Sequence, residues 1–177
     1  MTLDEQADLV IKAIGNRKIN NLLDIGAGEG GITRRIQDKY NCKIWLIDGN
    51  AENNHKKSIK AEKNRWHADT TDFLYYRTFN ELKKWYDAHS NNYELIDCDN
   101  IYIPPDIKFD LITSYFSCGF HYPIETYYDI ISKHSVSDTL CIFDIRKNRI
   151  AEKNITVEGT ILNRKKFYRA KIKLRPL

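Results

Sequence analysis

The segment Asp24-Ile25-Gly26-Ala27-Gly28-Glu29-Gly30-Gly31 constrains this chain more than any other. It grows out of the apolar run Asn21-Leu22-Leu23-Asp24-Ile25, whose length and composition predict a buried strand. It leads into Gly31 to Tyr40, where Ile32 and Ile36 stand one helical turn apart. A strand that passes into a helix through so many glycines must turn sharply, and glycine also lets a ligand approach the main chain. The first turn of the following helix aims its N–H groups at the same spot. Gly26, Gly28 and Gly31 satisfy G-x-G-x-x-G as well, so the loop alone also fits a nicotinamide dinucleotide.

The rest of the chain alternates strand and helix patterns around this turn. Helical spacing is read over Asp4 to Asn16, Phe73 to Ser90 and Pro123 to His134. Apolar runs predict strands at Lys43 to Ile47, Tyr93 to Asp97, Phe109 to Phe116 and Thr139 to Ile145. Ile155 to Leu162 and Lys166 to Leu174 alternate about the polar turn Asn163-Arg164-Lys165, which is a hairpin signal. Residues 51–72 are polar and without period; a connection of that length reads as a lid or binding loop, with Trp66 either closing on a ligand or anchoring the loop. Strands alternating with helices imply an α/β fold, a doubly wound parallel sheet that the terminal hairpin makes mixed, about seven strands in all. With 177 residues, one domain over 1–177 is expected. In such sheets ligands bind at the carboxyl ends of the strands, near the switch in strand order.

Composition narrows the class. No apolar stretch approaches the ~20 residues of a membrane helix, and the acidic start MTLDEQADLV lacks the marks of a signal peptide, so a cytoplasmic protein is expected. Cys42, Cys98, Cys118 and Cys141 stand singly in or beside apolar runs, which predicts buried free thiols and no zinc site. The net charge of +4 conceals an asymmetry: from Arg146 onward there are eleven Lys or Arg against two Glu, so the remainder is acidic. A basic segment on an acidic body suits an anionic partner, but alternation through Tyr168-Arg169-Ala170-Lys171-Ile172-Lys173-Leu174 also suits one solvated face of an edge strand.

Two carboxylates sharpen the reading of the glycine turn. Asp48 ends the second strand twenty residues after Gly28, where it would accept from both hydroxyls of a ribose. Asp99 follows the third strand, where it would accept from an exocyclic amine such as adenine N6; Asp97 competes for that role, and Asp69 replaces it if Arg65 to Asp69 is the strand. LLDIGAGEGG, Asp48 after KIWLI, Asp99 after YELID, and FDLITS together resemble the nucleotide-binding core of class I S-adenosylmethionine-dependent methyltransferases, a Rossmann-like family. The resemblance spans about residues 20–145. It implies S-adenosyl-L-methionine as cofactor, with Asp24 and the glycines at its methionine part, Asp48 at ribose and Asp99 at adenine. Gly26, Ala27, Gly28, Gly30, Gly49, Asn50, Asn100 and Ser114 share these loops and are expected at the cofactor with them. The family's seventh strand is antiparallel and comes from a terminal hairpin, as read here.

The acceptor in that family lies beyond the fourth strand. Here the chain reads Ser114-Tyr115-Phe116-Ser117-Cys118-Gly119-Phe120-His121-Tyr122-Pro123 and lacks the Asn/Asp-Pro-Pro-aromatic run of enzymes that methylate base amino groups. Tyr115, Phe116, Phe120 and Tyr122 are candidates to wall a pocket. His121 is the candidate general base, since imidazole titrates near neutrality; holding the loop is its other reading. His55, His67, His89 and His134 are read as surface or structural, and Trp45 as strand core. A small-molecule acceptor, such as a sugar hydroxyl, is the first expectation. A nucleic-acid acceptor held by Arg164, Lys165, Lys166, Arg169, Lys171, Lys173 and Arg175 is the second. A nicotinamide oxidoreductase would lack a substrate domain and leave Asp99 without a role; a non-enzymatic binding module is the fourth reading.

Overall fold

The computed structural model describes residues 1–52, 77–90, 92–121, 123–147 and 155–174. Expectations for the long polar loop, Trp66, His55, His67, the alternative strand ending at Asp69, Tyr122 and Arg175 fall outside these residues.

Seven strands form one sheet: β1 Asn21–Ile25, β2 Lys43–Asp48, β3 Tyr93–Asp97, β4 Leu111–Ser114, β5 Leu140–Arg146, β6 Ile155–Asn163 and β7 Phe167–Leu174. Their order is β3-β2-β1-β4-β5-β7-β6. The first five run parallel, and β7 is antiparallel to both β5 and β6. The order reverses between β1 and β4. The crevice that a doubly wound sheet opens at its switch point therefore lies directly above the glycine turn.

Among the described residues, four α-helices flank the sheet: α1 Leu3–Ile14, α2 Gly31–Tyr40, α3 Phe79–His89 and α4 Tyr128–His134. Alternate strand residues serve opposite faces. Leu22, Ile44, Leu46, Leu111 and Ile142 pack with Val10, Ile36, Leu82 and Tyr86 of α1, α2 and α3. Leu23, Ile25, Trp45, Ile112 and Phe143 pack with Ile131 of α4 and with Ile103 and Phe109 of the β3–β4 connection. Trp45 is strand core, as expected, and its ring meets Phe109 edge-on. Cys42, Cys118 and Cys141 are buried, and burial pushes their thiols up, Cys141 to about 12. None of the described helices is long and apolar enough to cross a membrane.

Local signals place the element ends. Thr2 and Glu5 form a capping box at the start of α1, and Thr78 and Glu81 do the same for α3. The second box starts α3 at Phe79; residues 73–76 of the expected helix lie outside the described residues. The helix expected from Pro123 opens instead as a 3-10 turn, Ile124–Tyr127, before α4.

One expectation is overturned by the strand order. β7 lies between β5 and β6 and is not the sheet edge. Arg169 consequently faces inward, 1% exposed, and its guanidinium donates to both oxygens of buried Asp144 at 2.7 and 2.9 Å. Its carbon lies 4.4 Å from the centre of the Tyr115 ring. A buried pair breaks badly when one partner is lost, because the other charge stays desolvated, whereas removing both is often tolerated. We expect Asp144→Leu to cost about 3–5 kcal/mol in urea unfolding. Adding Arg169→Met should restore most of that loss.

Candidate functional site

The glycine turn is closed internally on nearly every side. Gly26, Gly28 and Gly30 all have left-handed backbones, with φ of 73°, 52° and 55°. The N–H groups of Gly26 and Ala27 donate to Ile47 O at 2.7 and 3.2 Å, and that of Gly30 donates to Ala27 O at 2.8 Å. The Gly28 N–H donates to one carboxylate oxygen of Asp48, and the Gly49 N–H donates to the other at 2.7 Å. A side chain on Gly26 would collide with that of Ser117, and one on Gly30 would collide with the Tyr86 hydroxyl. That hydroxyl donates to Gly28 O at 3.1 Å. Among the described residues, a Cβ on Gly28 would meet nothing within 4 Å. Among these residues the turn thus has one open face, at Gly28, bordered by the half-buried carboxylate of Asp48.

Asp24 and Ser114 lie beneath this face and not on it. Asp24 is 1% exposed and accepts hydrogen bonds from the hydroxyls of Thr33 on α2 and Thr113 on β4. Burial raises its pKa to about 6, against the two hydroxyls, with nearby Asp48 adding to the rise. Ser114, also buried, donates to Ile25 O and accepts from Cys118 N–H, both at 2.8 Å. It pins the loop after β4 to the end of β1. Both residues support the turn from below through these hydrogen bonds.

At the tips of β2 and β3 the acidic residues do come together. Cys98 N–H donates to Asp48 O at 2.8 Å, which ties the two tips. Asp97 Oδ1 accepts from Asp99 N–H at 2.9 Å and orders the turn that carries the exposed Asp99 and Asn100 outward. Asp48 is itself raised above the usual carboxylate range, by burial first, with the Gly28 and Gly49 N–H groups pulling the other way. Asn50 has a different duty: its side-chain oxygen accepts from Phe79 N–H at 3.2 Å and from Glu52 N–H at 3.1 Å, joining the end of β2 to the start of α3.

Beyond β4 stands a wall of rings. Phe116 has φ 56°, unusual for a bulky side chain, and is 43% exposed. Its ring meets Phe120 and Phe167 edge-on, at 5.2 and 4.8 Å between centres. Tyr115 turns away, its hydroxyl buried on the α1–α3 side. His121 is half-buried, its ring edge-on to Phe120 at 4.9 Å, and its N–H donates to Ser117 O at 2.7 Å. His134 is buried beside Ile107 O, and His89 stacks on Trp85; both are structural, as expected.

Sequence reasoning missed Ser117, Tyr86, Thr33 and Thr113 as builders of the site.

The same architecture recurs among solved structures, although no family model and no curated protein matches the chain. An RNA methyltransferase from Salinibacter ruber, solved with S-adenosyl-L-homocysteine, aligns with 100% of this chain and 95% of its own, at 11% identity and TM-score 0.57. A ribosomal protein L11 methylase from Lactobacillus delbrueckii subsp. bulgaricus aligns over 98% and 79%, at 14% identity and TM-score 0.57. An S-adenosylmethionine-dependent methyltransferase from Clostridium acetobutylicum aligns over 99% and 76%, at 14% identity and TM-score 0.54. The chain has the class I methyltransferase fold.

The raised pKa of Asp24 has a sign that can be measured. Folding favours its protonated form, so its contribution to stability is complete below the unfolded value of 3.8 and is lost as pH rises through about 6. We expect Asp24→Asn, which keeps an oxygen for the threonines, to gain stability relative to the natural protein between pH 5 and pH 8. The gain should be on the order of 2 kcal/mol in urea unfolding.

Proposed function

We propose that the protein transfers a methyl group from S-adenosyl-L-methionine to an acceptor held against Phe116 and Phe120. The carrying observation is the bonding of the glycine turn. A dinucleotide needs free N–H groups at such a turn for its pyrophosphate. Here the N–H groups of Gly26, Ala27, Gly28 and Gly30 are all engaged, and a carboxylate sits on that of Gly28. A phosphate would meet an anion; an adenosyl group, which offers hydroxyls and an amine, would meet acceptors. This separates the proposal from the nicotinamide reading, which the glycine spacing alone left open.

In this reading the open face at Gly28 takes the polar tail of the cofactor. Asp48 retains lone pairs for the ribose hydroxyls, and Asp99 accepts from the adenine amine, with Gly49 and Asn100 alongside. Bound there, the cofactor supplies an electrophilic methyl on a sulfonium. The chain's own part is alignment, since in-line displacement depends on holding the acceptor at the correct distance and angle. Phe116 and Phe120 present apolar surface for the acceptor. His121 takes the proton when the acceptor is a hydroxyl.

Two acceptor classes suit the wall. A small hydroxylated molecule needs only the rings and His121. A nucleic acid would also use the basic hairpin, and the placement of its turn, beside the wall, favours that class.

Calorimetry with S-adenosylhomocysteine tests the cofactor site. Binding is expected where NADH gives none. Gly28→Ala should fold with a loss of about 1–2 kcal/mol, from its left-handed backbone alone, yet bind at least about tenfold more weakly. If Gly28→Ala binds as well as the natural protein, the open face is not the cofactor's. For a hydroxyl acceptor, His121→Ala should lower turnover by about a hundredfold or more and leave S-adenosylhomocysteine affinity unchanged.

A further inference from the structure

The hairpin turn ends up where the chemistry is proposed to occur. β6 rises alongside β7 from the Ile155–Leu174 pair to the Asn163–Tyr168 pair, and β7 starts opposite Arg146, the last residue of β5. Arg164, Lys165 and Lys166 therefore lie at the carboxyl end of the parallel strands, the end that carries the glycine turn. They are exposed. Lys147 N–H donates to Lys166 O at 3.0 Å and Arg164 N–H donates to Phe167 O at 2.9 Å, so both chain segments form one rim with Phe167 in it. The Arg146 guanidinium lies 5.4 Å from the centre of the Phe120 ring.

Among the described residues, Lys147, Arg164, Lys165 and Lys166 have no local task, and no ion pair neutralises them. Asp144 is engaged with Arg169 below. Nor do they guard a sheet edge: the edge strand on this side is β6, whose exposed positions are Thr156, Val157, Glu158, Thr160 and Asn163. Phe116 stands beside the rim in a left-handed conformation that is strained for a bulky residue. Asp144, which also accepts from the Phe116 N–H, holds it there. A ring fixed outward next to unneutralised cations is what stacks a base while its phosphates are bound. An acidic peptide would use the cations and leave the ring without a purpose.

We infer that this rim binds single-stranded nucleic acid, Phe116 stacking one base and Lys147, Arg164, Lys165 and Lys166 holding neighbouring phosphates. As an acceptor site it rests on the methyltransferase reading; as a binding surface it does not. Single strands are specified because a duplex hides the base faces.

The test is fluorescence anisotropy of the full chain with fluorescein-labelled mixed-sequence 20-mers, as single-stranded RNA, single-stranded DNA and duplex RNA, from 50 to 200 mM salt. Single strands should bind more tightly than duplex, with log K falling against log salt at a slope of about −3 for four contacts. Arg164→Ala/Lys165→Ala/Lys166→Ala should weaken binding at least about tenfold and flatten the slope by about 2. Phe116→Ala should weaken single-strand binding at least about fivefold. Calorimetry with S-adenosylhomocysteine should be unchanged for the triple variant, which shows that it is folded. Absence of binding at 50 mM salt, full binding by the triple variant, equal affinity for duplex, or equal affinity for polyglutamate would each overturn the inference. Oligonucleotide binding by a protein that ignores S-adenosylhomocysteine would sink the methyltransferase reading and leave the surface standing. The RNA and DNA arms identify which strand is bound.

Discussion

The carboxylate of Asp48 is the contact on which the site depends. One oxygen takes the Gly28 N–H and the other the Gly49 N–H, so a single side chain closes the glycine turn and shapes the end of β2. Its own carbonyl takes the Cys98 N–H and brings the tip of β3 alongside. Three strand ends are thereby held in one arrangement by one residue. The cost is visible in its pKa, raised by burial despite two N–H donors. A turn held by an anion is also chemically selective: it repels phosphate and keeps acceptor capacity for hydroxyls and amines.

A second set of polar groups runs under the site on the α1–α3 face of the sheet. Asp24 on β1 stands in register with Thr113 on β4, and Asp144 on β5 with Arg169 on β7. Tyr115, two residues beyond Thr113, lies between them under the guanidinium. Interiors tolerate such groups only when they are paired or neutralised. The two acids meet that demand differently. Asp144 has a full cation, whereas Asp24 has only hydroxyls, and its carboxyl accordingly moves toward the neutral form. The pair reaches the surface through the Phe116 N–H, so core and ring wall share one anchor.

Much of this was legible in the chain. Strand and helix positions follow from periodicity, since each element buries a face that its own sequence declares. The glycine turn and the place of Asp48 at the end of β2 were legible because a sharp strand-to-helix turn demands particular residue types at particular spacings. What was not legible depends on strand order. Nothing local says that the last strand inserts beside β5, yet that insertion turns Arg169 from a solvated charge into a buried one. The burial of Asp24 has a related origin: its partner Thr113 lies 89 residues away in the chain, and only the strand register brings the two together. Ser117 and Tyr86 carry no motif; they matter through the absence of a side chain opposite them, at Gly26 and Gly30.

The antiparallel insertion of β7 also decides where the basic segment can act. A parallel last strand would need a crossover, and its loop would be free to project from either end of the sheet. A hairpin whose second strand pairs antiparallel with β5 must place its turn level with the end of β5. The positive charge of a body that is otherwise acidic is thus delivered to the end that holds the glycine turn and the ring wall. Charge near a crevice acts on encounter as well as on affinity, because it raises the local concentration of an anionic partner. The register of one strand pair therefore joins two features that lie far apart in the chain, the glycine turn near its start and the cations near its finish.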